Sequence, residues 1–335
     1  MSDQALTAEI PVQGCSLKPS RLITARSFLT DRAVADCEEI TLPGRQVPGG
    51  TVPYGRVDRM AAPASRKGWR ALLRRRPGPV PLQGDLGMDC RFVSPENWSH
   101  FLNLHAPLAF ELMRRLDLPP GGMTLILPAG TPGFILKAAD YLGLRTQCAD
   151  GAVTGPGAAF GFSRNITIPD RRRWLKAAGV IDQLFDGPRP DLPRHLFLSR
   201  RGARSISNQA EIESVLAPRG FATVYPEDLS PADQFQLFNT AETIVAIHGA
   251  GLAPLLYRHP DAPLRHLVEI LPCGHMTDFY RLMAQQVGCR WTGVRGRLKP
   301  EYVRPAYDLS APIYRQHSLD SFEVDPVSLE RALEG

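Results

Sequence analysis

No apolar run in this chain approaches the ~18 residues a membrane-spanning helix needs, so a spanning role is not expected. With 43% hydrophobic and 22% charged residues over 335 positions, the composition is that of a globular protein with room for two domains. Met1 to Gly14 has neither the basic start nor the apolar core of a secretion signal. Cys15, Cys37, Cys90, Cys148, Cys273 and Cys289 stand singly, without disulfide-framework, metal-ligand or redox spacing. Together these absences lead us to expect a cytoplasmic protein with reduced thiols and no bound zinc. Lysine is scarce too: Lys18, Lys67, Lys137, Lys176 and Lys299 are the only ones, and arginine carries the rest of a net charge of +5. So modest a surplus does not call for nucleic acid as a partner, and an anionic small molecule fits it equally well.

What is present divides the chain. Residues 1–80 are poorly periodic and rich in Pro-Gly turns, and they read as an irregular extension with a few edge strands. Within them Arg66 to Arg76 forms a basic cluster interleaved with Trp69, Leu72 and Leu73. It is a solvated face or, on the alternative reading, a peripheral contact with the inner face of a membrane. From Ser94 the pattern sharpens. Ser94-Pro95-Glu96-Asn97 opens a helix that Pro107 is expected to kink or divide, and strand, helix and strand follow at 123–127, 134–142 and 144–148. Gly187 to Arg194 reads as an interdomain linker. Beyond it, strands at 195–199, 223–225, 244–247 and 267–271 alternate with helices. Asn208-x-x-Glu211 supplies a capping-box pattern for one of these helices, and Thr277 a cap for another.

The second half is organised around Thr243 to Tyr257. Ile244 to Ile247 form a continuous apolar run suited to a strand buried on both faces. His248 ends it, and Gly249-Ala250-Gly251 allow a sharp turn and close approach of a ligand to backbone amides. A short helix from Leu252 to Tyr257 would then aim its positive end at the same point, where a phosphate is the natural occupant. Arg200, Arg201 and Arg204 follow the first strand of this half, and Glu269 interrupts the apolar 267–271 strand. In an open α/β sheet all of these meet at one edge. Guanidinium forks bind phosphate, and a carboxylate can accept both ribose hydroxyls, so the set describes a nucleotide site. The bland alternatives are surface arginines, glycines serving packing alone, and a hydrogen-bonded structural histidine.

Several ordered pieces of this half resemble glycosyltransferase family 61. They are Leu198-Ser199-Arg200, Arg204-Ser205-Ile206-Ser207-Asn208, Glu211, Gln234 to Phe238, His248-Gly249-Ala250-Gly251-Leu252, and Val268-Glu269-Ile270 followed by Pro272. Asn97-Trp98-Ser99-His100-Phe101 resembles the family's Asn-x-x-His-[FW] segment. The resemblance implies an α/β fold of GT-B type, with two Rossmann-like domains facing across a cleft. The corresponding boundaries are an irregular extension at 1–80, an acceptor domain at 81–186, a nucleotide-sugar domain at 187–300, and a tail at 301–335 packing back on the domains. It further implies an inverting, metal-independent transferase moving a sugar from a nucleotide-sugar, a UDP-sugar by family precedent, to a glycan or lipid-linked glycan of a bacterial surface polysaccharide.

Donor binding then falls to Arg200, Arg204, Asn208, His248, Gly249, Ala250, Gly251, Leu252 and Glu269. His100 is the first candidate for the base, with His105, Asp85, Asp89 and Asp150 behind it. No cofactor is expected, and the chain holds no Asp-x-Asp with which a metal-dependent transferase would grip the pyrophosphate. Three other readings compete. An esterase would need Gly-x-Ser-x-Gly, and Gly161-Phe162-Ser163-Arg164-Asn165 fails at its last position. A dehydrogenase would need the third glycine, which Pro254 replaces. A non-catalytic nucleotide-sugar-binding or scaffolding protein would keep the same donor motifs.

Overall fold

The computed structural model describes residues 22–24, 44–47, 51–52, 80–91, 94–151, 153–155, 157–160, 168–272, 275–297 and 317–334. Arg66 to Arg76 and Gly161 to Asn165 lie outside them. The chain separates into two compact units, Cys37–Val180 and Met1–Asp36 with Ile181–Gly335. Among the described residues no helix is long and apolar enough to cross a membrane. The first strand, β1 (Leu22–Thr24), belongs to the second unit.

In the unit Cys37–Val180 the strands are β2 (Gly44–Val47), β3 (Thr51–Val52), β4 (Val80–Pro81), β5 (Gly87–Asp89), β6 (Thr124–Leu127), β7 (Arg145–Cys148), β8 (Val153–Thr154) and β9 (Gly157–Phe160). A five-stranded sheet runs β2-β9-β5-β6-β7, parallel except for the β2 edge. β3, β8 and β4 make a small separate sheet. The crossover from β5 to β6 is helical. Asn97 caps its start by accepting the amides of Ser99 (2.9 Å) and His100 (3.2 Å). The chain passes through a π-helical turn, Phe101–His105, into α1 (Ala106–Arg115). Pro107 therefore does not divide the helix. Its missing N–H and its ring's demand for space are absorbed by the wide turn just before it, where the Ala106 amide reaches back to the Phe101 carbonyl. α2 (Gly133–Tyr141) returns the chain to β7, ended by Gly143 at φ 69°, and α3 (Ile168–Ala177) packs on α1.

The second unit contributes β10 (His195–Leu198), α4 (Gln209–Leu216), β11 (Ala222–Val224), α5 (Pro231–Thr240), β12 (Thr243–Ile247), β13 (His266–Leu271), α6 (Phe279–Gln286), β14 (Arg290–Arg295) and α7 (Pro326–Glu334). Its sheet order is β1-β14-β13-β12-β10-β11, parallel throughout except for β1. The central strands β12 and β13 carry near-continuous apolar runs, at 244–247 and, interrupted only by Glu269, at 267–271, because both faces are covered. On one face Phe197, Val245, Ile247, Val268, Ile270 and Val294 pack against Ile212 and Leu216 of α4, Leu329 and Ala332 of α7, and Phe322. On the other lie α5, α6 and the 3-10 helix Ala250–Tyr257.

The stretch Gly187 to Arg194 is held to this unit, where the Arg189 amide donates to Thr240 Oγ1 at 3.0 Å. From β10 the chain steps outward to β11, then returns past β10 to β12, β13 and β14. The order therefore reverses between β10 and β12, and in open α/β sheets the crevice beyond the carboxyl ends of such a strand pair is where ligands bind.

Candidate functional site

Arg200 lies just beyond β10, and His248 just beyond β12. Across the reversal point Arg200 Nη1 donates to the His248 carbonyl at 3.3 Å, while Arg200 Nε is buried with no hydrogen-bond partner among the described residues. Burial lowers the pKa of this guanidinium, opposed by Glu227 and Tyr280. Arg204 is held nearby with its backbone at φ 61°, an uncommon conformation for a residue other than glycine. The C-terminal segment imposes it. The Arg204 amide donates to the Leu319 carbonyl (2.9 Å), its Nε to the Ser318 carbonyl (2.6 Å), and Ser207 and Phe322 continue the pairing. Its pKa is lowered first by burial and then by the charge of Arg200. Two partly buried cations that repel each other, one of them with an unpartnered buried N–H, form a site that an anion would relieve.

Arg201 does not join them. It forks onto Asp228 with two 2.8 Å bonds and lies 3.8 Å over the Tyr225 ring. Asn208 is a second correction. It stands at the N-cap position of α4 but does not cap it through its side chain, whose Nδ2 donates to the Val324 carbonyl (2.8 Å) and to Glu211 (2.9 Å), while Oδ1 accepts the Val324 amide (3.0 Å).

Glu269 also departs from the ribose-binding expectation. Val268 and Ile270 point into the packed face, so alternation turns Glu269 to the other. Its neighbours in register, Ala246 and Gly293, are small enough to leave room for it. There the carboxylate is fully buried, with Oε1 2.5 Å from His248 Nδ1 and Oε2 accepting Trp291 Nε1 at 2.7 Å. Both oxygens are thus occupied. A carboxylate accepts, so His248 Nδ1 carries the proton and Nε2 is the end left for a ligand.

The glycine turn differs from expectation as well. Gly249 is extended (φ 162°), and a Cβ there would stand 2.5 Å from Arg200 Nη1, so its bareness makes room for the guanidinium. A Cβ on Gly251 would lie 3.0 Å from Pro226 Cγ, so its bareness also eases packing against that ring. The following helix is 3-10 from Ala250 to Tyr257, with Pro254 inside it. Its first internal bond runs from the Leu252 amide to the Gly249 carbonyl at 3.1 Å, leaving the Ala250 and Gly251 amides without an intrahelical acceptor beside Arg200.

Sequence reading missed two residues that complete this edge. His275 lies 5.1 Å from the His248 ring, and Tyr280 of α6 lies 5.4 Å from it. Their place in the loop and helix after β13 was the available signal. Thr277 was expected to cap α6, and Asp278 occupies that position.

His100 belongs to the other unit, where it is exposed on the turn capped by Asn97. Among its alternatives, Asp89 is held by the fully buried Arg91 (2.8 and 3.0 Å), and Asp150 accepts the Ala129 amide at 2.9 Å.

A family model described as Glycosyltransferase 61 matches residues 99–264, from the helix of His100 to the residues before β13, so Glu269 and His275 fall outside the matched span. A beta-1,2-xylosyltransferase, XAX1 of Oryza sativa subsp. japonica, is similar to this chain at 31% identity over 137 residues. That alignment covers 38% of the chain, which spans about a quarter (24%) of the length of the relative.

Proposed function

Because residues 99–264 belong to glycosyltransferase family 61, we propose that this chain is an inverting transferase of GT-B type. It moves a sugar from a nucleotide-sugar, a UDP-sugar, to a glycan acceptor of bacterial surface polysaccharide synthesis. The observation that carries the reading is the Arg200–Arg204 pair at the strand-order reversal, both partly buried and Arg200 Nε without a hydrogen-bond partner among the described residues. In this reading the diphosphate sits on those guanidiniums and on the Ala250 and Gly251 amides. Charge developing on the leaving group then meets preorganised donors without an essential metal. Glu269 orients His248 rather than binding ribose. His100, in the unit Cys37–Val180, is the proposed base for the acceptor hydroxyl.

The relative's name makes UDP-xylose the first donor to try. We expect UDP release from UDP-xylose or UDP-N-acetylglucosamine that persists in EDTA. His100→Ala should lower transfer by ~10²–10⁴-fold while leaving UDP affinity unchanged. Binding without any turnover would instead mark a nucleotide-sugar-binding protein, and equal loss of binding in His100→Ala would remove that residue from the role of base.

A further inference from the structure

His275 has no place in the donor site as described so far. It follows the end of β13 by four residues, at the sheet edge that also carries Arg200 and His248. Its amide donates to the Pro272 carbonyl at 3.0 Å, and its half-buried imidazole makes no hydrogen bond among the described residues while facing the His248 ring. Arg204, from the loop after β10, and His248, after β12, act on His275 directly. Around them, Arg200 and Tyr280 of α6 act on Arg204, Glu227 from the turn after β11 on Arg200, and Glu269 of β13 and Arg281 of α6 on Asp278 just before α6. Glu269, the buried carboxylate among them, is occupied by His248 and Trp291.

We propose that His275 is a further ligand-binding residue of this site, taking up a proton from solvent as the diphosphate of a nucleotide-sugar enters and donating a charged hydrogen bond to it. The inference rests on the donor-site reading above. In the free protein burial, then Arg204, then His248 push the imidazole down to about 4, so it is neutral near pH 7. An incoming dianion reverses the local field: it offsets Arg204 and supplies an acceptor for a charged N–H. Binding and protonation are then linked, and each strengthens the other.

The test is calorimetric titration with UDP-xylose, whose diphosphate does not titrate near neutrality, in buffers of different ionisation enthalpy at pH 7. The wild-type protein should take up ~0.5–1 proton per ligand, with affinity falling by up to ~10-fold per pH unit as pH rises. His275→Gln should bind ~10–100-fold more weakly and take up none. Binding by the wild-type protein without proton uptake, a result that needs no variant, overturns the inference, as does unchanged uptake in His275→Gln. No binding of UDP-xylose, UDP or inorganic pyrophosphate would overturn the donor-site reading itself, and this inference with it.

Discussion

Glu269 and His248 show how a buried charge in a strand is made tolerable. An isolated carboxylate in a dry interior is costly, and this one is held by two donors, the His248 ring and the Trp291 indole, with small residues beside it in register. The arrangement fixes a tautomer. In Glu269→Gln the indole can still donate to the amide oxygen, but the amide nitrogen then confronts the Nδ1–H of His248. We expect the proton to move to Nε2 or the ring to turn over, which long-range ¹⁵N–¹H spectra of His248 would reveal. An unchanged Nδ1–H tautomer would mean that Glu269 does not set the ring. The sequence alone disclosed that Glu269, a carboxylate in an apolar strand, had to be paired, solvated at the strand end or liganded. It could not name the partner, because Trp291 lies 22 residues further on, in a strand whose register only the folded sheet determines. Arg200 and Arg201 make the same point: adjacent side chains leave the backbone in different directions, and only one faces the site.

The element that governs the site most is the C-terminal segment, which lies alongside residues 204–207 and holds Arg204 in its positive-φ conformation. Phe322 anchors it. The ring is 1% exposed, and it lies so close over Gly296 that a Cβ there would stand 2.3 Å from Cδ2. Phe322→Ala should cost ~3–5 kcal/mol of stability. Gly296→Ala should also destabilise by forcing the ring away, and chemical denaturation of both variants checks this. A wild-type midpoint in Gly296→Ala would show that the ring shifts without cost. The Asn208-x-x-Glu211 pattern marked the start of α4, with Asn208 at the N-cap position, but it could not show that the Asn208 side chain turns to Val324, 116 residues away and beyond any local pattern.

At the β13–β14 pair, His266 accepts from Arg290 at Nδ1 (2.8 Å) and sits 3.0 Å from Thr292 Oγ1 at Nε2, so the neutral Nε2–H form fits. Burial, then Arg290, push it down to about 4. The unfolded chain therefore binds a proton near pH 6.5 that the folded one refuses, and stability falls as pH drops from about 6.5 toward 4. His275 acts in the same window, so His266→Gln should reduce the slope of melting temperature against pH without abolishing it. An unaltered slope would contradict the assignment.

For the whole molecule, alternation of strand and helix made the α/β class legible, and the apolar runs at 123–127, 244–247 and 267–271 located inner strands. The strand orders were not legible, because local periodicity carries no information on which strands pair. Yet the order in the second unit is what brings the loops after β10 and β12 together and gives Arg200, Arg204 and His248 a common site. The most direct test of that site is calorimetric titration of UDP into the wild-type protein, Arg200→Ala and Arg201→Ala, each with EDTA present. The account predicts metal-independent binding that Arg200→Ala weakens by ~10–100-fold and that Arg201→Ala, whose side chain is already paired with Asp228, leaves within about twofold. Equal loss in both variants, or binding that vanishes with EDTA, would contradict it.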